Sequence, residues 1–206
     1  MMDNPPAPSV ATDAEAADSV LEPREGWVAL LALLGAILAV AFAVDDSGWA
    51  GQIRGSPRNN QTHFLPLATG LSVLVGFVLA KSKLSRLANH FLGALVGAAF
   101  LLVAVSSVIS TAPSLEERLR DLNLSLGRFY HDAFELGIRS SETTVFLLMI
   151  GTLLWAAGQF AAFAVFRFRR SLPALIVPGA ILLANMSVTV RPQYAHLILF
   201  TGLASE

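Results

Sequence analysis

Five stretches of this chain contain no aspartate, glutamate, lysine, arginine or histidine, and each is long enough to carry one helix through a bilayer. They are 27–44, 64–80, 91–110, 143–166 and 171–190. A hydrocarbon core calls for about 17–25 residues of apolar helix. A backbone in lipid must satisfy its own hydrogen bonds, which makes each run helical. A sixth run, YAHLILFTGLA at 194–204, is too short to span. It reads as an interfacial stub or, preferably, as a sixth helix cut short. The expected fold is an all-α integral membrane protein: a bundle of five transmembrane helices plus a truncated sixth, occupying 26–206.

Composition narrows the chemistry. Of 206 residues, 14% are charged and 54% hydrophobic, against about 25% charged in soluble domains. A net charge of −1 offers no field to recruit nucleic acid. The chain has no cysteine, which removes disulfides, thiolate catalysis, iron–sulfur clusters and cysteine-based zinc sites. Residues 1–25 are acidic and rich in proline and alanine, with one base, Arg24. Nothing there repays ordering, so a disordered tail is expected. Its acidity also argues against a secretory signal, which opens on a basic segment.

Charge placement gives an orientation. Lys81, Lys83 and Arg86 lie between the second and third runs, and Arg167, Arg169 and Arg170 between the fourth and fifth. Both loops are short, free of acids and of the same parity. The other loops are longer and mixed: Asp45 and Asp46 face Arg54 and Arg58 in 45–63, and four arginines meet six acids in 111–142. Lys and Arg totals are equal on the two sides, so density carries the signal. Short cytoplasmic loops concentrate lysine and arginine. These six residues are therefore topology determinants, with the N-terminus cytoplasmic and the mixed loops outside. Trp27 and Trp49 suit interfaces, whereas Trp155 lies mid-run and should face neighbouring helices.

The loop 111–142 holds a pattern of its own. Ser114 and Glu117 have capping-box spacing. Leu115, Leu119, Leu122, Leu126, Phe129, Ala133 and Leu136 then alternate in steps of four and three, which places them on one helical stripe. Glu116, Arg120, Asp121 and Asp132 fall on the other face. An extracytoplasmic amphipathic helix over 114–138 is expected, on the outer leaflet or the mouth of the bundle, or as a spacer under a further domain. Gly127 and Gly137 weaken it.

Sites of chemistry are scarce. His63 and His131 fall in outside segments, His90 at the cytoplasmic start of the third run and His196 in the terminal run. That spread places them at different depths and excludes a bis-histidine haem, so no cofactor or metal is expected. A proton- or ion-coupled carrier needs ionisable groups in the membrane, and the five runs have none. Gly-Leu-Ser at 70–72 lacks a histidine in any complete run to act as base for Ser72. The remaining polar and small residues read as helix packing. Gln159 and Asn185 bond across helices, and Gly93 and Gly97 form a GxxxG contact. Pro178 should kink the fifth span near Gly179, while Pro173 sits in the tolerant first turn.

The segment LLWAAGQFAAFAVFRFRRSLPALIVPGAILLAN, 153–185, resembles the hairpin of the fourth and fifth spans in bacterial transglutaminase-like membrane proteins. The matching positions are Trp155, Arg167, Arg169, Arg170, Pro178, Gly179 and Asn185. The resemblance implies a bacterial plasma-membrane protein whose N-terminal helices hold an extracytoplasmic domain with a Cys/His/Asp triad. No triad residue can be carried over, since the chain has no cysteine. The implied function is to anchor and position such a domain, in the same or a neighbouring chain, with the bilayer as the other partner and no catalytic residue here. The alternative is a complete small polytopic membrane protein acting as a carrier subunit or assembly partner.

Overall fold

The computed structural model describes residues 26–48, 62–189 and 193–204. The tail 1–25, Trp49, Arg54, Arg58 and Arg191 lie outside the described residues. Seven α-helices follow in order: α1 Gly26–Asp46, α2 Phe64–Lys81, α3 Arg86–Ile109, α4 Leu115–Tyr130, α5 Thr144–Phe166, α6 Ser171–Val188 and α7 Tyr194–Ala204. No strand occurs among the described residues. Helices α1, α2, α3, α5 and α6 are long and apolar enough to cross a membrane, and α7 is shorter.

Two boundaries depart from the hydrophobicity pattern. Helix α3 begins at Arg86 rather than at 91, because Ser85 adopts an extended conformation and its hydroxyl accepts the Ala88 N–H at 3.2 Å. That N-cap carries the helix through Arg86, Asn89 and His90, which hydropathy alone assigns to the loop. The helix expected over 114–138 is not one continuous α-helix. Ser114 caps it by accepting the Glu117 N–H. After Tyr130 it widens into a π-helical turn, His131–Glu135. The chain then closes over Gly137, at φ +63°, with the Ile138 N–H on the Asp132 carbonyl at 2.9 Å. A left-handed residue there ends the helix, and glycine adopts that conformation without a Cβ clash.

Helix α5 is the axis of the fold. It packs most extensively on α2 and also touches α1, α3, α4 and α6. Small residues let α2 and α5 approach closely. A Cβ on Gly76 would lie 2.9 Å from the Ala162 Cβ and 3.1 Å from the Gln159 carbonyl oxygen, and one on Gly158 would fall on the Ser72 hydroxyl. Helix α7 runs back along the last half of α1: Phe200 joins Ala36, Val40, Val44 and Leu182 in one cluster, and Leu203 lies against Gly35. Helix α4 lies across the ends of α3 and α5, with Leu122 buried against Val105 and Leu147 and with Leu119 and Leu126 beside it. The two ends of the intended stripe, Leu115 and Leu136, are exposed.

The alternating helix directions gather the linkers into two sets. The start of α1, the α2–α3 turn and the α5–α6 turn share one end, called here the basic end. The end of α1, the start of α2, helix α4, the end of α6 and the start of α7 share the other, the outer end.

Candidate functional site

Three of the packing residues read from the sequence meet, with Trp155, in one seam. Gly93 and Gly97 of α3 face Gln159 and Trp155 of α5. A Cβ on Gly93 would enter the Gln159 carboxamide, and one on Gly97 would enter the Trp155 indole. The buried indole donates its Nε1–H to the Gly93 carbonyl at 3.1 Å, and Phe100 stacks on its ring. Glycine thus makes room for the indole and also exposes the carbonyl that accepts from it. Pro178 and Asn185 are buried on α6, but they belong to a different contact from this seam. Ser72 gives its hydroxyl hydrogen to the Thr69 carbonyl at 2.7 Å, an intrahelical bond that leaves it no base.

At the basic end the six cations have separate roles. Arg167 clamps the α2–α3 turn: Nη1 donates to the Ala80 and Ser82 carbonyls at 3.2 and 2.9 Å, and Nη2 to the Leu84 carbonyl at 3.2 Å. These carbonyls include ones that the end of α2 leaves without an intrahelical partner. Ser82 and the fully buried Asn89 complete the turn through a 2.7 Å hydrogen bond. Arg169 holds the α5–α6 turn at φ 53°. Arg86 lies over the Phe168 ring at 5.2 Å and Lys81 over Phe77 at 5.1 Å. Lys83 is exposed. Arg170 is exposed and shares a cavity wall with Arg86.

The outer end is built from pairs of opposite or neutral polar groups. Asp45 accepts from the Thr62 hydroxyl and pairs with His63 Nδ1 at 2.7 Å. Asp46 pairs with His196 Nε2 at 3.3 Å. The Asn185 amide donates to the Ala43 carbonyl at 2.9 Å and to Gln193 Oε1 at 2.7 Å, while Gln193 donates to the same Ala43 carbonyl at 2.5 Å. Two histidines that the sequence separated in depth therefore arrive at one end, on adjacent aspartates. His63 is placed by the start of α2, and His196 by α7, whose first turn docks on the last turn of α1. The available signal was an acidic pair closing the first run and a histidine just before the second. The Gln193–His196 spacing at the start of α7 was the other half. Among the described residues no group of three metal-ligating side chains converges.

Helix α4 is fastened to the same end by polar bonds flanking its apolar contact. Ser110 donates to Asp121 at 2.5 Å, and Ser125 bonds both Glu142 and Thr144. Arg128 Nε donates to Glu142 at 2.6 Å. That hydrogen bond, and then the Glu142 charge, raises the Arg128 pKa above its ordinary value. Beyond this platform Tyr130 stacks on Phe134, and Phe134, Leu136 and Ile138 are exposed.

No family model, curated protein or solved structure matches this chain.

Proposed function

We propose that the chain is a multi-pass membrane domain of the bacterial plasma membrane, with its N-terminus cytoplasmic, that anchors and positions an extracytoplasmic transglutaminase- or protease-like domain in the same or a neighbouring chain. The observation carrying the membrane part is an inversion of polarity. Asn89, Gln159, Asn185, Thr69 and Ser72 are buried between helices, while Leu31, Phe91, Met149, Ile176 and Leu183 point outward. Phe91 is 73% exposed and Met149 68%. Water would penalise apolar surface on that scale, whereas lipid accepts it and favours a buried interhelical bond such as that of Asn185 to the Ala43 carbonyl.

Orientation rests on the acid-free basic turns. Reporters fused after Lys83 and after Arg170 are expected on the cytoplasmic side, and one within 111–142 outside. Inversion at both basic turns would overturn the assignment. Replacing Arg167, Arg169 and Arg170 together with glutamine should let a fraction of molecules mis-orient the hairpin.

The anchoring role is supported by the outer platform. Helix α4 is tied to the bundle by polar bonds, and the π-helical turn and residues after it expose Phe134, Leu136 and Ile138, where a domain above the membrane would rest. A photo-crosslinker at Phe134 in intact cells should trap a domain that reacts with a thiol-directed active-site probe. Adducts to lipid alone would remove the anchoring role and favour the stand-alone assembly partner.

A further inference from the structure

At the basic end a cavity of about 410 Å³ opens between α3, α5 and α6, lined by Arg86, Phe160, Ala164, Phe168, Arg170 and Pro173. Its mouth and floor differ in chemistry. Arg86 and Arg170 stand at the mouth, and among the described residues neither makes an ion pair. Phe160 and Ala164 lie one turn apart on α5, about 6 Å of rise, so the floor descends from the cations toward the middle of the bundle. Ala164 is buried, whereas the two phenylalanines remain partly open. The first turn of α6 borders the mouth through Arg170 and Pro173 and has no side-chain cap. Its unbonded N–H groups add positive potential there. No acid lies in 81–90 or 167–171 to neutralise it.

We infer that this groove is a binding site for one anionic phospholipid. The phosphate sits between Arg86 and Arg170, and an acyl chain lies along Phe160 and Ala164. Charge complementarity selects the occupant. Among the described residues the two cations of the mouth have no acidic partner, and the floor offers apolar surface at the depth of an acyl chain. A zwitterionic lipid would bring its own cation into the same field, and a free phosphate would leave the floor unfilled. Guanidinium groups suit this task because their planar donors can bind two phosphate oxygens at once. Basic pockets between membrane helices hold anionic headgroups on this physical ground.

The inference rests on the membrane reading, and the test separates the two. Membranes containing the full chain are first washed with alkaline carbonate. The chain is then purified in a mild detergent, and thermal unfolding is followed with added phosphatidylglycerol, phosphatidylcholine or glycerol 3-phosphate. Phosphatidylglycerol should raise the midpoint in a saturable manner, phosphatidylcholine much less, and glycerol 3-phosphate not at all. Arg86→Gln combined with Arg170→Gln should weaken the apparent phosphatidylglycerol affinity about tenfold. Lys83→Gln, a cation of the same end outside the groove, should leave it nearly unchanged. Both arginines are exposed, so the double variant is expected to fold. Equal response to the two lipids, or equal loss in Lys83→Gln, overturns the lipid site. Stabilisation by glycerol 3-phosphate alone overturns the acyl-chain part. Release by carbonate overturns the membrane reading itself.

Discussion

The two ends of the bundle handle charge in opposite ways. At the outer end charged groups find charged or titratable partners: Asp45 with His63, Asp46 with His196, Arg128 with Glu142. At the basic end Arg167 binds backbone carbonyls, while Arg86 and Lys81 lie over aromatic rings. Carbonyls and rings stabilise a cation without cancelling its charge. Among the described residues Arg167 and Arg86 therefore keep their charge after folding, whereas Asp45, Asp46 and Arg128 at the outer end are paired. Density of arginine in a linker is a topological signal only if the fold leaves it unneutralised. Arg167 and Arg86 meet that condition among the described residues.

The largest effect should come from breaking the clamp. Arg167→Gln removes a guanidinium shared among three carbonyls that have few other donors. A loss of about 2–3 kcal/mol is expected, in the range of hydrogen bonds to charged groups, read as a lower unfolding midpoint in detergent micelles. Arg128→Gln at the outer end should change the same midpoint little, since its side chain is exposed to solvent and Glu142 keeps its bond to Ser125. Equal losses in the two variants would erase the distinction between the ends.

A smaller effect is expected from the outer end's neutral network. Asn185→Leu removes the donor to Ala43 and leaves Gln193 Oε1 buried without it. Because Gln193 still donates to the Ala43 carbonyl, the cost should be about 1 kcal/mol, the scale of interhelical hydrogen bonds in membrane bundles. Adding Gln193→Leu should cost less than a second independent loss, since both side chains then leave the network together. Strict additivity of the two would mean that they do not act as one unit.

How much of this was readable beforehand depends on the range of the interaction. The five long helices were legible because lipid-length, charge-free runs have few other solutions. The start of α3 was missed by five residues because its first turn is polar. Ser85 and buried Asn89 make that turn helical through local capping, not through hydropathy. At the site, the 93–97 glycine spacing marked a close contact. The indole that fills it is 62 residues away in sequence, and no local pattern encodes that distance. The same holds for Arg167, legible as a charge but not as the cap of another helix. The pairing of His196 with Asp46 needed the docking of α7 on α1. Gly127 and Gly137 both lower helix propensity in this segment, yet they differ. Gly127 lies inside α4, while Gly137 has a positive φ and ends the segment.

The smallest effect sharpens the comparison most directly, because the two ends close a helix in the same way with different residues. At the outer end the Ile138 N–H reaches the Asp132 carbonyl across Gly137 at φ +63°. At the basic end the Arg170 N–H reaches the Ala164 carbonyl at 2.8 Å across Arg169 at φ 53°. A residue with a Cβ in this conformation costs about 1–2 kcal/mol relative to the right-handed region. Glycine does not incur that cost, although it gives back part of the gain through the freedom of the unfolded chain. Arg169→Gly should therefore stabilise by up to about 1 kcal/mol, and Gly137→Ala should destabilise by about the same amount. Both are read as shifts of the unfolding midpoint at fixed detergent and lipid. In the orientation assay Arg169→Gly should give a slightly larger mis-oriented fraction, because one cation has left the α5–α6 turn. Opposite signs in the two measurements are the expected result, with stability gained and orientation weakened. A loss of stability in Arg169→Gly would mean that contacts of the Arg169 side chain outweigh the cost of its backbone, so that the basic end holds its charge there for folding as well as for topology.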